Sequence, residues 1–570
     1  MNKPVWSLDY FRERLAHTEA LPQLVILGVL SGIGTALLIS LFRLLVDAPL
    51  EYFLGNHNNF EALPGWARFA LPVTGSLVLL LILHNVSAAV RKVGVVHVLE
   101  RMSYHQGHLP LPNMINQLIC ASVALVSGHS VGREGPAVHI GAACSSWIGQ
   151  KMHLPNNSLR LLVGCGTAAA IAAAFNTPLA GVIFAMEVVL LEYTAVGFVP
   201  IMVAAVTADV SNRLLLGSEV VLDVPALTIS SLAEIPVIML LGFSIGLLAA
   251  GFNHLLRQTV KLAKYPLSYR LIGAGVLAGL VSVWVPQIMG LGYDTVSDAL
   301  AGNIALTGLL LLVLAKWLLT PIIIGLGIPG GLIAPTLFIG AMAGGALGLA
   351  GDLLVDGPMS HTGFYAMVGM GAMMGAVLNA PLAALTALLE LTGNPNIILP
   401  GMIAIVTANV TVRYLFHLPS IFITSLQAQG LDYRHQPLTQ ALSRAAVGSL
   451  MKKDFVRSTG TVDRDQAMTL TRQHNRLLIE SDNYYPVLLS RTDLRQWLKR
   501  HPEVEQIDLF EVPARRFELT AISFQATLKE ALDKMNESGV NTLFVQANDQ
   551  SILGLLSREQ LEQYYLEELK

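Results

Sequence analysis

Two short glycine-rich stretches hold the residues best suited to chemistry. The first, Ser127-Gly-His-Ser-Val-Gly-Arg-Glu-Gly-Pro136, sets Arg133 and Glu134 between glycines and ahead of a proline, inside otherwise apolar sequence. Proline fits the first turn of a helix and glycine frees the backbone for close approach, so the stretch predicts the N-terminus of a broken helix. Amides exposed there carry partial positive charge and suit an anion. The Glu134 carboxylate is itself an anion and competes for them, with the Gly135 amide beside it. The second stretch, Gly327-Ile-Pro-Gly-Gly-Leu-Ile-Ala-Pro335, has the same shape and no charged side chain. It leaves Leu332 and Ile333 to offer backbone amides alone. Amides hold an ion without lodging a full cation in an apolar layer, and conduction needs binding weak enough to release.

Such helix ends need a frame that shields them from bulk water. Of the 570 residues, 53% are hydrophobic and 13% charged, against roughly 25% charged in an ordinary soluble domain. That excludes a soluble enzyme of average make-up and a disordered chain. The net charge of −3 gives no footprint for nucleic acid. Cys120, Cys144 and Cys165 lie in apolar stretches with neither a disulfide framework nor metal-ligand spacing, so no metal is expected. Residues 431–570 carry 18 of the 36 Lys/Arg and 20 of the 39 Asp/Glu, while 45 of the 49 glycines precede them. The expected organisation is a cytoplasmic N-terminal helix over 1–20, a polytopic membrane domain over 21–430 and an aqueous domain over 431–570. Lys3, Arg12 and Arg14, ahead of the first apolar run, place the N-terminus in the cytoplasm.

A simple spanning helix needs about 20 apolar residues. The stretches 22–46 and 232–256 meet that length, whereas 113–127, 137–150, 178–191, 332–350 and 379–392 are short or interrupted. Helix ends left at membrane depth are tolerable only where they line protein or a cavity. The interruptions recur. Pro136-Ala-Val-His-Ile-Gly-Ala-Ala lines up with Pro335-Thr-Leu-Phe-Ile-Gly-Ala-Met. Asn176-Thr-Pro-Leu-Ala, followed by Glu187, lines up with Asn379-Ala-Pro-Leu-Ala, followed by Glu390. Val206-Thr-Ala-Asp lines up with Val406-Thr-Ala-Asn. Three collinear matches near one offset predict an internal duplication with halves of about 21–215 and 232–430. An inverted pair would bring equivalent broken helices together at the midplane.

Gly132-Arg-Glu-Gly-Pro136, Gly331-Leu-Ile-Ala-Pro335, the AAAFNTPLAGVIFAMEV stretch and the charged C-terminal tail together resemble the CLC family of chloride channels and proton-coupled chloride antiporters. The resemblance covers essentially the whole chain. It implies an all-α polytopic membrane protein of about eighteen helices in two inverted halves, with an α/β tail. It also implies a homodimer with one anion pathway per subunit, in an inner or plasma membrane with both termini cytoplasmic. Glu134 matches the family's gating glutamate, and Leu332 and Ile333 match positions whose amides bind the central anion. The chain departs from the family's pattern at three places. Val93 stands where an anion-facing serine is usual, Phe422 where a tyrosine hydroxyl is usual, and Val188 where antiporters carry an inner proton glutamate. Glu187, the neighbour of Val188, is the nearest candidate for an inner proton acceptor. Its match with Glu390 also fits a helix-end role. His129 and His139 flank the gating segment and read as structural imidazoles or as tuners of Glu134.

In the tail, Tyr485-Pro-Val-Leu-Leu-Ser490-Arg-Thr-Asp493 and Gly554-Leu-Leu-Ser557-Arg-Glu-Gln560 each close a helix–strand–strand passage with a serine that opens a helix. The pattern resembles a tandem CBS domain. That resemblance implies an adenine nucleotide near Ser490 and Asp493, although Gln560 lacks the matching acid and serine alone is a good N-cap. Otherwise no cofactor is expected. The function implied is transport of chloride or a similar monovalent anion, bicarbonate or nitrate included, as a channel or with protons as a coupled partner. An intramembrane hydrolase with Glu134 as base would need a nucleophile or metal cluster that the sequence does not offer, so the chain reads as no enzyme.

Overall fold

The computed structural model describes residues 8–16, 20–55, 59–217, 227–354, 360–431, 437–472, 476–481, 484–547 and 549–568. The chain divides into two compact units, one of residues 24–152 and 159–433, the other of 1–23, 153–158 and 434–570. After a short helix α1 (Leu8–Leu15), the chain runs through α2 (Leu21–Leu54), α3 (Gly65–His84), α4 (Gly94–Tyr104), α5 (Leu111–Val126), α6 (Glu134–Lys151), α7 (Asn156–Phe175), α8 (Pro178–Phe184) and α9 (Ala195–Leu216). A second set follows: α10 (Ile235–Val260), α11 (Leu267–Trp284), α12 (Tyr293–Ala301), α13 (Leu306–Leu326), α14 (Ile333–Leu354), α15 (Thr362–Leu378), α16 (Pro381–Thr392), α17 (Ile398–Val410) and α18 (Ile421–Ala428). Among the described residues, nine helices are long and apolar enough to cross a membrane. The Leu111–Val126, Pro178–Leu190, Thr362–Leu378 and Pro381–Thr392 segments are shorter apolar helices.

The breaks fall where local chemistry demands them. Asn176 and Asn379 adopt left-handed φ of 56° and 52°, and the proline two residues later opens α8 or α16. Asparagine tolerates that conformation and proline is preorganised for a first turn, so the two Asn-x-Pro steps end one helix and start the next. One expectation fails. The stretch 332–350 folds as a single unbroken helix, α14. Its glycines pack instead of breaking the backbone, and a Cβ on Gly340 would collide with the Gly369 carbonyl of α15. Small residues allow such close backbone approach between apolar helices.

Glu187 and Glu390 have reciprocal partners. The Glu187 carboxylate accepts from the amides of Leu382 (3.3 Å) and Ala383 (2.7 Å) at the start of α16. The Glu390 carboxylate accepts from Leu179 (2.9 Å) and Ala180 (2.7 Å) at the start of α8. Each half thus supplies the anion that satisfies the other half's orphan amides. Glu187→Gln and Glu390→Gln are each expected to cost about 1.5–3 kcal/mol, the usual size of a hydrogen bond to a charged group. Thermal unfolding in detergent should show similar shifts for the two. A fall in proton movement confined to Glu187→Gln would instead reassign that residue to a proton route.

The second unit contains α19 (Pro437–Ser443), α20 (Val447–Leu450), β1 (Phe455–Thr459), β2 (Thr461–Asp463), α21 (Arg464–Arg472), β3 (Arg476–Ser481), β4 (Tyr484–Leu489) and α22 (Arg491–Arg500). It continues with β5 (Gln506–Asp508), β6 (Arg516–Glu518), β7 (Thr520–Ser523), α23 (Leu528–Ser538), β8 (Thr542–Gln546), β9 (Ile552–Ser557) and α24 (Arg558–Glu568). Its two main sheets share one plan. β1 pairs parallel with β3, which pairs antiparallel with β4. Likewise β7 pairs parallel with β8, which pairs antiparallel with β9. A helix crosses over between the parallel strands and another follows the hairpin in each, so the passage recurs as a strand–helix–strand–strand–helix unit.

Candidate functional site

The two glycine-rich stretches meet. Gly132 N–H donates to the Gly331 carbonyl at 2.8 Å and Gly331 N–H donates to the Gly132 carbonyl at 2.6 Å, an antiparallel exchange that sets the starts of α6 and α14 against each other. A Cβ on Gly135 would lie 2.8 Å from the Gly331 Cα, so no larger residue fits between the two helix ends. Glu134, the first residue of α6, is fully buried at this junction. Its Oε2 accepts from the Ala334 amide at 3.1 Å, within the first turn of α14. Its Oε1 accepts from the Tyr293 hydroxyl at 2.8 Å.

Arg133 occupies the N-cap position of α6 and donates through Nη2 to the Ala174 carbonyl at 3.1 Å. Its guanidinium lies 5.7 Å from the Phe175 ring centre and 5.8 Å from that of Tyr293. The cation is therefore held by rings and a carbonyl. Tyr293 follows Gly292, whose φ of 73° turns the chain into α12. Behind that turn lies Lys316 of α13, also fully buried. Its Nζ donates to the carbonyls of Ile288 (3.3 Å), Gly290 (3.4 Å) and Leu291 (3.3 Å), and sits 4.2 Å from the Phe338 ring centre. A buried ammonium persists only when its donors are satisfied. Here the satisfying groups belong to the turn that aims Tyr293 at Glu134.

Leu332 and Ile333 lie buried at the junction, but the amide that reaches the carboxylate belongs to the next residue, Ala334. Val93 is the extended N-cap residue of α4, and Phe422 is buried in the first turn of α18. These two helices pack on each other. His129 bonds Ser76 Oγ through Nε2 (3.0 Å) and Ser127 Oγ through Nδ1 (2.9 Å), so both ring nitrogens serve the scaffold. In the tail, Ser490 accepts the Asp493 amide at 3.4 Å as a helix cap. The Asp493 carboxylate takes Arg515 Nε at 2.8 Å, Nη2 at 3.3 Å and the Arg515 amide at 3.1 Å. Those bonds hold the Asp493 carboxyl down to about 2. Among the described residues no group of His, Cys, Asp or Glu is placed to hold a metal ion.

Sequence reasoning missed Tyr293, Lys316 and Ala334. Lys316 was detectable, because it is the sole charge in the apolar run 306–326 and intramembrane ionisable residues are functional by default. Tyr293 carried no comparable signal.

The Glu134 carboxylate is gripped by an amide and a hydroxyl where two helix N-termini are opposed. Tyr293→Phe removes one donor worth about 1.5–3 kcal/mol. The anion concentration that half-displaces Glu134 should then fall by about ten- to a hundredfold. Anion flux titrated against concentration reads this directly, and an unmoved midpoint would deny the hydroxyl a share in holding the gate.

Residues 74–413 match the voltage gated chloride channel family. A ClcB-like chloride channel protein, so named, from Ralstonia nicotianae is 32% identical over 373 residues, covering 64% of this chain and 87% of that one. The H(+)/Cl(-) exchange transporter ClcA of Vibrio parahaemolyticus is 31% identical over 302 residues, 51% of this chain and 65% of the relative, just under two thirds of its length. The fold is similar to the crystal structure of a slow cyanobacterial Cl-/H+ antiporter, with a TM-score of 0.63 at 22% identity over 71% of this chain and 97% of that one. The site and fold therefore define a multi-pass membrane transport protein, not an enzyme. The chain belongs to the voltage gated chloride channel family, and it moves an anion through a CLC-type pore.

Proposed function

We propose that the chain exchanges chloride for protons across the membrane, with Glu134 as both the gate and the proton carrier. The observation that carries this reading is the Glu134 carboxylate held by Ala334 N–H and Tyr293 O–H where two helix N-termini meet. An ionised carboxylate fits those donors, whereas a protonated one satisfies them poorly and yields to an anion, so proton uptake and anion entry are alternatives at one site. The relatives named as H(+)/Cl(-) exchange transporters carry the same pairing of ions in their names. Support for two inverted halves comes from the Gly132–Gly331 exchange and the reciprocal Glu187 and Glu390 caps.

The finer parts of the reading follow. Arg133, Gly135, Leu332 and Ile333 line the anion's approach, and Val93 and Phe422 face its inner end without a hydroxyl. The tail is read as a CBS-like pair that serves mainly as a structural module. An adenine nucleotide reaching Asp493 would first have to displace Arg515. The working form is a homodimer in an inner or plasma membrane with both termini cytoplasmic.

Two missing hydroxyls, each worth about 1.5–3 kcal/mol to an anion, should leave the inner site weak and unselective. Purified protein in liposomes, with anion flux and a proton electrode read together, tests the coupling. Calorimetry on the same protein should find chloride bound more weakly than micromolar, with nitrate and bicarbonate accepted. Micromolar chloride binding with firm rejection of nitrate would refute the selectivity reading.

A further inference from the structure

We propose that His97 and His139 form a two-histidine proton relay between the gate and the water-facing end of α4. It rests on the coupled-exchange reading and supplies the limb of the proton route that Val188 cannot. His97 lies one turn into α4 and His139 five residues after Glu134, about 7.5 Å of helix rise along α6. Their rings face each other directly, with Nδ1 of His97 2.9 Å from Nε2 of His139 and planes tilted by 41°. His139 is fully buried and His97 is 4% exposed. The second nitrogen of His139, Nδ1, is buried without a partner. A purely structural imidazole in a dry interior satisfies both nitrogens, as His129 does. His139 satisfies one and leaves the other free.

The surroundings give the pair a water-facing entrance. Glu100 follows His97 by three residues, on the adjoining turn, and pairs with Lys92 at 2.6 Å, whose side chain is 48% exposed. The charged or titratable neighbours of His97 are Glu100, Arg101, Lys92 and His105. Helix α18, which packs on α4, carries no titratable side chain, and α5, which packs on α6, offers only Cys120. Helix α7, which packs on α6 and α4, brings the buried thiol of Cys165 and Arg160, whose Nη1 donates to the Met102 carbonyl. The segment Ala185–Leu190 also packs on α4. Its one acid, Glu187, is committed to the amides of Leu382 and Ala383, and the adjacent Val188 is inert. The histidine pair is thus the titratable connection between this end of α4 and the helix that bears the gate.

The transfer balances. With both rings neutral, His97 holds its proton on Nδ1 and donates to Nε2 of His139, which holds its own on Nδ1. A proton arriving on His97 Nε2 from the Glu100 side lets the Nδ1 proton cross to His139 Nε2. His139 then releases its Nδ1 proton toward the Glu134 carboxylate. Both rings end neutral with exchanged tautomers, and each returns to its Nδ1–H form by tautomerisation before the next proton crosses.

The test uses the full chain in liposomes with anion flux and proton movement measured together. Wild type should drive protons uphill on an anion gradient. His97→Gln and His139→Gln should each lower proton movement by about a hundredfold, the low end of what a positioned acid–base group contributes, while anions still pass. His97→Glu, which restores a titratable group, should recover proton movement that His97→Gln lacks. A wild type that moves no protons would sink the coupled-exchange reading itself. A coupled wild type whose Gln variants stay coupled would overturn the relay alone. Loss of anion and proton flux in step, without recovery in His97→Glu, would also overturn it, because that is how a merely structural pair behaves.

Discussion

Glu134→Gln is expected to pass anions continuously, without proton movement and with flux nearly independent of pH. The amide keeps the shape of the side chain but loses the charge that the Ala334 amide and the Tyr293 hydroxyl receive. A neutral group also loses the partial positive charge of two helix ends as an attractant, worth up to about 2 kcal/mol in partly buried settings. Together these terms reach several kcal/mol, enough to move a largely closed population to a largely open one. Liposome flux recorded across a range of pH with a proton electrode reads both consequences at once. Uphill proton movement by Glu134→Gln would show that another group carries the proton.

Lys316→Met should disturb the same gate from behind, and more strongly than Tyr293→Phe. It leaves the carbonyls of Ile288, Gly290 and Leu291 without their donor, at roughly 1–3 kcal/mol for each buried group left unpaired. Relief of the buried ammonium's desolvation offsets part of that cost. Net stability is therefore expected to change less than function. The turn that aims Tyr293 loses its anchor. The half-displacing anion concentration should shift in the direction seen for Tyr293→Phe. The double variant should fall short of the sum of the two, because both act through one hydrogen bond. Lys316→Arg should not restore the wild-type gate, since a planar fork cannot reproduce three converging carbonyl contacts around a point charge. Full additivity of Lys316→Met and Tyr293→Phe would separate the lysine from the gate.

Several of these elements were legible in the sequence for stated reasons. Gly-Pro spacing around Glu134 and the repeated Asn-x-Pro steps use residues whose backbone preferences are strong and local, and the structure places helix breaks there. The charge-rich residues 434–570 fall in one compact unit together with 1–23 and 153–158. What stayed hidden depends on distant pairing. Tyr293 reaches Glu134 across 159 residues, and His97 meets His139 across 42, with no periodicity to announce either contact. The continuity of α14 was misread because a glycine that breaks a solvent-exposed helix serves, in an apolar layer, as the contact surface for a neighbour. Asp493 matched a nucleotide pattern by type and position, yet sequence could not reveal that Arg515, 22 residues on, already holds it.

The crossed glutamate caps have a consequence for how the chain is made. The α8 amides wait for Glu390, which lies 211 residues beyond Leu179. At typical synthesis rates of about 5–20 residues per second, that partner emerges roughly 10–40 seconds later. For that interval the first half holds a helix start whose acceptor does not yet exist, in a layer where bare amides are costly. Insertion must therefore shelter the unfinished half in water, in the insertion machinery or at the bilayer surface, until its counterpart is made. Neither half, expressed alone, has the means to close its own helix.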